Sequence, residues 1–119
     1  MPNRIQRKRT KGWTTPLDEQ GRKPVYVGRG SRYGNPWTVV QALGGWCLAV
    51  RGNTTTGVYA TEVEAMQGLM KAYTMWAEVR RREIVVDLAG KDLMCWCRPE
   101  AFCHADVLLE LANGGDDRG

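Results

Sequence analysis

Thr61-Glu62-Val63-Glu64 spells a helix start in which the threonine side chain accepts an amide three residues on and the glutamate reaches back. Val63, Met66, Met70, Tyr73 and Ala77 then recur at three- and four-residue steps, which predicts a long helix with one apolar face. Short β-branched and aromatic runs lie both before and after it. A mid-chain amphipathic helix flanked by strands must cover a sheet. The expected class is therefore α+β (or α/β): a small single domain whose mixed sheet carries one long helix and one or two short ones.

Ile5 to Arg9 reads as a basic edge strand, since positive side chains discourage pairing with other chains. Val25-Tyr26-Val27, closed by Gly28, reads as a buried strand. Trp37 to Gln41 and Trp46 to Arg51 suit a hairpin turning at Gly44-Gly45, with Asn53 to Gly57 a further turn before a short strand at Val58-Tyr59. Glu83 to Ala89 predicts a short helix, Asp92 to Cys97 a strand, and His104 to Ala112 an amphipathic helix with Val107, Leu108 and Leu111 inward. One domain spans 1–113, and the small polar residues of 114–119 read as a disordered tail.

At 119 residues the chain is long enough to bury a core of its own. No apolar run approaches the roughly 18 residues of a membrane span. The basic start has no apolar segment behind it, so no secretory signal is expected and the cytoplasm is the default compartment, a host's if the chain is phage-encoded. In a reducing compartment clustered thiols point to metal or catalysis before disulfides. Cys47, alone in an apolar stretch, reads as a small buried hydrophobe.

Three of the four cysteines and the only histidine fall between Cys95 and Asp106. The segment reads as a strand through Cys97, a loop, and a helix beginning near Cys103. Backbone N–H groups at such a helix start face outward and favour anions, and they favour the thiolate of Cys103. Cys103 is thus expected to be the most reactive thiol, if exposed. Three chemistries fit the residue types. Cys95, Cys97, Cys103 and His104 would hold zinc, although Cys-x-Cys is tighter than the common knuckle and adjacent Cys103-His104 seldom reach one ion together. Cys103 or Cys97 would act as a catalytic nucleophile with His104 as proton carrier. Or the thiols are core filling and His104 caps a helix.

Val27 to Trp37 contains three glycines, two arginines and Asn35-Pro36. Glycine lets a ligand approach the backbone, and Arg29 and Arg32 offer planar forks for phosphate. Asn35, extended by the following proline, has an amide available for recognition. An ordinary surface turn is the plainer alternative. If the strands preceding these two loops are parallel neighbours, the loops meet at one sheet edge. The resulting pocket would gather Arg29, Arg32, Asn35, Arg98, Cys103 and His104. The net charge of +4, concentrated at Arg4, Arg7, Lys8, Arg9 and Lys11 and at Arg80-Arg81-Arg82, makes nucleic acid or a nucleotide a candidate partner.

Val27-Gly28-Arg29 leading to Gly34-Asn35-Pro36-Trp37 is one motif. Gly90 through Cys97 leading to Cys103-His104-Ala105-Asp106-Val107-Leu108 is the other. Together they resemble a small domain-of-unknown-function family of bacteriophages and actinobacteria, over about residues 3 to 113. The resemblance implies a phage or prophage setting, a single compact domain and a basic start that belongs to it. It transfers no catalytic assignment. The expected function is binding of a phosphate-bearing ligand, a nucleotide or nucleic acid, with Arg29, Arg32, Asn35 and Arg98 as ligand-binding residues and zinc as a candidate cofactor. A cysteine-dependent enzyme acting on a nucleotide or base is the second expectation. A phage protein that disables a host protein, anchored through Trp13 or Trp37, is the third.

Overall fold

The computed structural model describes residues 2–50, 53–55, 57–98, 100–101 and 103–114. Six strands and three helices are present among them. They are β1 (Arg4–Gln6), β2 (Val25–Tyr26), β3 (Trp37–Ala42), β4 (Gly45–Val50), β5 (Asn53–Thr54), α1 (Glu62–Val79), α2 (Arg81–Leu88), β6 (Leu93–Cys95) and α3 (His104–Ala112). The α+β class holds, with one long and two short helices. The strands divide between two three-stranded sheets rather than entering one.

The first sheet has the order β1-β6-β2 and is parallel throughout, with Arg4 opposite Leu93 and Val25 opposite Leu93 on the other side. β1 is an edge strand where the sequence predicts one, but it begins at Arg4 and ends at Gln6, so Arg7, Lys8 and Arg9 of the predicted Ile5–Arg9 strand lie beyond it. Leu93, Met94 and Cys95 are all buried, as a central strand covered on both faces requires. The second sheet, β3-β4-β5, is antiparallel.

The β3–β4 turn falls one residue earlier than predicted. Ala42 pairs with Gly45, which leaves Leu43 (φ 56°) and Gly44 (φ 81°) as a two-residue turn with both positions left-handed. Gly45 serves a different need: a Cβ there would meet Val58 Cγ1 at 2.6 Å and the Tyr59 carbonyl oxygen at 2.7 Å. That close approach lets Tyr59 bridge to Trp46, which replaces the predicted Val58-Tyr59 strand. Asn53 and Thr54, predicted as part of a turn, pair with the end of β4. The Arg51 end of the predicted strand and residues 115–119 of the predicted tail lie outside the described residues.

α1 begins as its sequence demands. Thr61 Oγ1 accepts the Glu64 amide at 3.1 Å, and the Glu64 carboxylate accepts the Thr61 amide at 3.3 Å. Its buried stripe is Ala65, Leu69, Tyr73 and Ala77, a strict step of four. Val63, expected on that face, is 59% exposed because it lies about 100° round the helix from the middle of that stripe. Val27, Tyr73, Ile84, Leu88, Leu93, Cys95, Cys103 and Leu108 are fully or almost fully buried and belong to one apolar cluster. That cluster joins the parallel sheet to all three helices, and Tyr73 stacks on Trp76 within it at 5.2 Å. Cys47 is buried in β4, as expected of a small hydrophobe. No helix among the described residues is long and apolar enough to cross a membrane.

Candidate functional site

β2 and β6 are parallel neighbours, so the loops that follow them leave the sheet at the same end. This is the end at which open parallel sheets place their ligands. A cavity of about 270 Å³ opens there. Its walls come from four parts of the chain. Gly28, Arg29 and Asn35 belong to the loop after β2, and Cys95, Trp96, Cys97 and His104 to the β6–α3 segment. Val39 comes from β3, and Met66, Leu69 and Met70 from α1. The wall is mainly apolar with a few converging polar groups, as small-ligand sites are.

The glycine–asparagine loop is ordered from within. Arg29 Nη1 and Nη2 donate to the carbonyls of Asn35 and Trp37, at 2.5 and 2.7 Å. Its fork therefore braces the loop across its mouth. Gly34 lies so close to the Gly28 carbonyl that a Cβ would come within 2.5 Å of it. The buried Asn35 accepts the Trp37 amide on Oδ1 at 2.9 Å, and its amide nitrogen has no partner among the described residues. That nitrogen is therefore not itself sealed from solvent, and it is a side-chain donor of a residue on the cavity wall.

β6 ends at Cys95, and the chain bends at Trp96 and Cys97 instead of continuing as strand. The bend brings Cys97 around, so that the sulfurs of Cys95, Cys97 and Cys103 all lie within 4.8 Å of one another. Cys95 Sγ and Cys103 Sγ are 3.1 Å apart. Cys103 is the N-cap of α3, its sulfur accepting the Ala105 amide at 3.4 Å. Arg4 from β1 braces the segment from outside, donating to the Arg98 carbonyl at 2.8 Å and pairing with Asp106 at 3.5 Å.

Protons are unevenly shared in this sulfur trio. Hydrogen bonds to Cys103 and Cys97, together with burial, push the Cys95 thiol far up. The hydrogen bonds from Cys103 and Cys95, with the positive charges of Arg4 and Arg29, hold Cys97 well below its ordinary value. The hydrogen bond from Cys95 also lowers Cys103, against the opposing effect of Cys97. Cys103 was expected to be the reactive thiol if exposed, but it is 2% exposed and does not line the cavity. Cys97 is half-buried and does.

His104 is buried, edge-on to Tyr73 with ring centroids 5.1 Å apart. Its Nε2 lies 2.5 Å from the Val27 carbonyl oxygen. A carbonyl only accepts, so Nε2 carries a hydrogen, and in the neutral ring Nδ1 holds the lone pair. Nδ1 faces Cys103 Sγ at 4.0 Å. A histidine that ligates a metal is oriented in just this way, by donating its other nitrogen to a carbonyl.

Of the residues singled out in the sequence, Arg29, Asn35, Cys95, Cys97 and His104 come together around the cavity. Cys103 sits behind them. Arg32 turns to α2, pairing with Glu83 at 2.8 Å and Asp87 at 3.5 Å. Arg98 contributes its carbonyl to Arg4, and its exposed side chain is not part of the cavity wall. Trp13 and Trp37 are half-buried, the latter packed on the core.

The sequence reading missed Val39, Leu69, Met66 and Met70 as cavity walls, having assigned both methionines to core packing. The signal was there in part: Met66 and Met70 form a second apolar stripe beside Ala65, Leu69, Tyr73 and Ala77, wider than one packed face needs. No curated protein and no solved structure matches this chain. A family model does, over residues 5–114, and it takes in both loops and every element that shapes the cavity. The chain belongs to the family described as a domain of unknown function, DUF4326.

Proposed function

We propose that this domain binds a nucleotide-type ligand in the cavity at the carboxyl end of the parallel sheet. The observation that carries this reading is the convergence of two loops on one cavity whose apolar wall faces one free amide. A flat aromatic base fits between Val39, Met66, Leu69 and Met70, and the Asn35 amide would donate to an acceptor on its edge. The cavity is below the roughly 300 Å³ at which pockets for whole drug-sized molecules begin, so it suits a base with the phosphate outside. Arg29, which has no carboxylate within 4.0 Å among the described residues, gives the cavity wall a positive charge that favours such an anion. The phage or prophage setting implied by the resemblance belongs to the same reading.

Titration of the purified protein with the common nucleoside monophosphates, at low and high salt and followed by tryptophan fluorescence, tests it. Saturable binding by at least one is expected, together with a loss of tenfold or more in Met70→Trp, which fills the cavity. Absence of binding by every monophosphate at low salt would overturn the reading.

A second reading rests on the sulfur trio. Three cysteine sulfurs at mutual distances under 4.8 Å match the donor set of a soft divalent ion such as zinc. Cys95, Cys97 and Cys103 would hold it, with water or a cavity ligand in the fourth position; His104, expected from the sequence as a ligand, is not among the groups clustered within 4.8 Å. Elemental analysis of protein purified without added metal tests this reading: about one zinc per chain is expected, and none overturns it. Metal-free protein would turn attention to Cys97 as a nucleophile facing the cavity, the enzyme expectation drawn from the sequence.

A further inference from the structure

Three strand ends meet at the rim of the cavity. β1 runs on past Gln6, the Arg7 amide donating to the Cys95 carbonyl at 2.7 Å. That bond places Arg7 beside the residue that follows β6, Trp96. The Arg7 guanidinium lies 5.1 Å from the Trp96 ring centroid and 5.6 Å from that of Tyr26, and Arg9 lies 4.7 Å from Trp96. Trp96 is 39% exposed and is also part of the cavity wall, so one indole joins the cavity to the cations outside it.

These cations are not neutralised. Arg7, Lys8, Arg9 and Lys11 are exposed, and none has a carboxylate within 4.0 Å among the described residues. By contrast Arg4, Arg22 and Arg32 each have an acidic partner. Four uncompensated positive charges within five residues, resting in part on aromatic rings, form a track longer than one phosphate requires. A positive track beside exposed aromatic faces is the arrangement that follows the backbone of a single strand while its bases stack or insert. A duplex must first unpair and unstack a base before it can fill the cavity, whereas a single strand has bases already free.

From this juxtaposition we infer that the ligand is a single-stranded nucleic acid. One unstacked base enters the cavity, and its sugar–phosphate chain runs over Arg7, Lys8, Arg9 and Lys11 past Trp96. The inference deepens the nucleotide reading and rests on it, replacing a free nucleotide by one residue of a polymer. Arginine stacked on indole keeps its edge N–H groups available to phosphate, which lysine at the same position would do without the planar fork.

The test compares a labelled mixed-sequence 12-nucleotide single strand, as DNA and as RNA, with its duplex and with nucleoside monophosphates, by fluorescence anisotropy and competition. The single strand is expected to bind at least tenfold tighter than any monophosphate and tighter than the duplex. If Arg7, Arg9 and one of the two lysines meet phosphate, log K falls against log salt with a slope of about −2. Arg7→Ala/Arg9→Ala should lower that slope to about −0.7. The same double variant should weaken strand binding at least tenfold and leave binding of an uncharged nucleoside within threefold. Arg7→Lys/Arg9→Lys should restore the slope but only part of the affinity. The DNA and RNA arms show which sugar is taken. A strand no tighter than a monophosphate, a duplex that binds as well as the strand, or a flat salt dependence in the wild-type protein overturns the inference while the cavity reading stands. Binding of neither strand nor monophosphate overturns both.

Discussion

Replacing Tyr73 by phenylalanine removes a single oxygen and leaves the ring in place. In the native protein that hydroxyl is fully buried and donates to the Tyr33 carbonyl at 2.6 Å, the bond that ties α1 to the glycine–asparagine loop. No other described group donates to that carbonyl. Phenylalanine therefore strands a buried acceptor, a loss of about 1–3 kcal/mol. Unfolding entropy of about 2 cal/mol/K per residue gives a chain of 119 residues about 0.25 kcal/mol/K. The melting temperature should then fall by about 4–12 °C. Thr74→Val is the control: its hydroxyl bonds only to the Met70 carbonyl one turn back, and its loss should change stability by less than about 0.5 kcal/mol. Circular dichroism melts of the three proteins decide the matter, and amide exchange over residues 28–37 should quicken only in Tyr73→Phe. A melting temperature within about 2 °C of wild type would refute the claim that this bond secures the loop.

Four further outcomes are expected. Iodoacetamide should modify Cys97 first and at pH values below those of an ordinary thiol, with Cys47, Cys95 and Cys103 slow; mass mapping reads this, and prior loading with zinc should suppress it. Gly34→Ala drives a methyl against the Gly28 carbonyl and should cost about 1–3 kcal/mol in urea unfolding, together with ligand binding. Leu43→Asn relieves the left-handed strain in the β3–β4 turn and should raise stability by about 0.5–1 kcal/mol, visible as a higher urea midpoint. Burial and its bond to Asp87 push the Tyr33 phenol up to about 12. Between pH 10 and that value the unfolded chain has released a proton the folded one retains, so stability should decline as pH rises through this window; Tyr33→Phe should lessen the decline without abolishing it, because burial also pushes the Tyr73 phenol up.

Local signals carried the secondary structure well. The Thr61 capping box, the turn residues between β3 and β4 and the β-branched run of β2 each act over a few residues, and each forms close to its predicted place. The convergence of the two loops was also legible, because it needs only that β2 and β6 be parallel neighbours. What the sequence could not convey were contacts between residues far apart in the chain. The cavity wall from Met66 and Met70 depends on how α1 is rotated over the sheet, which Tyr73 and its bond to Tyr33 decide. Arg32 looked like Arg29 in sequence, yet Glu83 and Asp87, more than fifty residues on, draw it away. The half-buried thiol on the cavity wall is Cys97 rather than Cys103 for a similar reason. A helix N-cap favours the thiolate, but it also seals Cys103 in the core, whereas the bend after β6 leaves Cys97 facing the cavity.

The centre of the parallel sheet is its last strand to be synthesised. β1 and β2 lie on either side of β6 and pair with nothing else in that sheet, while Asn3 is bonded to Asp92 across a separation of 89 residues. During translation the first two strands must wait, unpaired, until β6, nearly ninety residues after β1, has left the ribosome. Closing so distant a contact is slow, and the waiting edges are open to association with other chains. The cavity should therefore close in a single step that waits on β6.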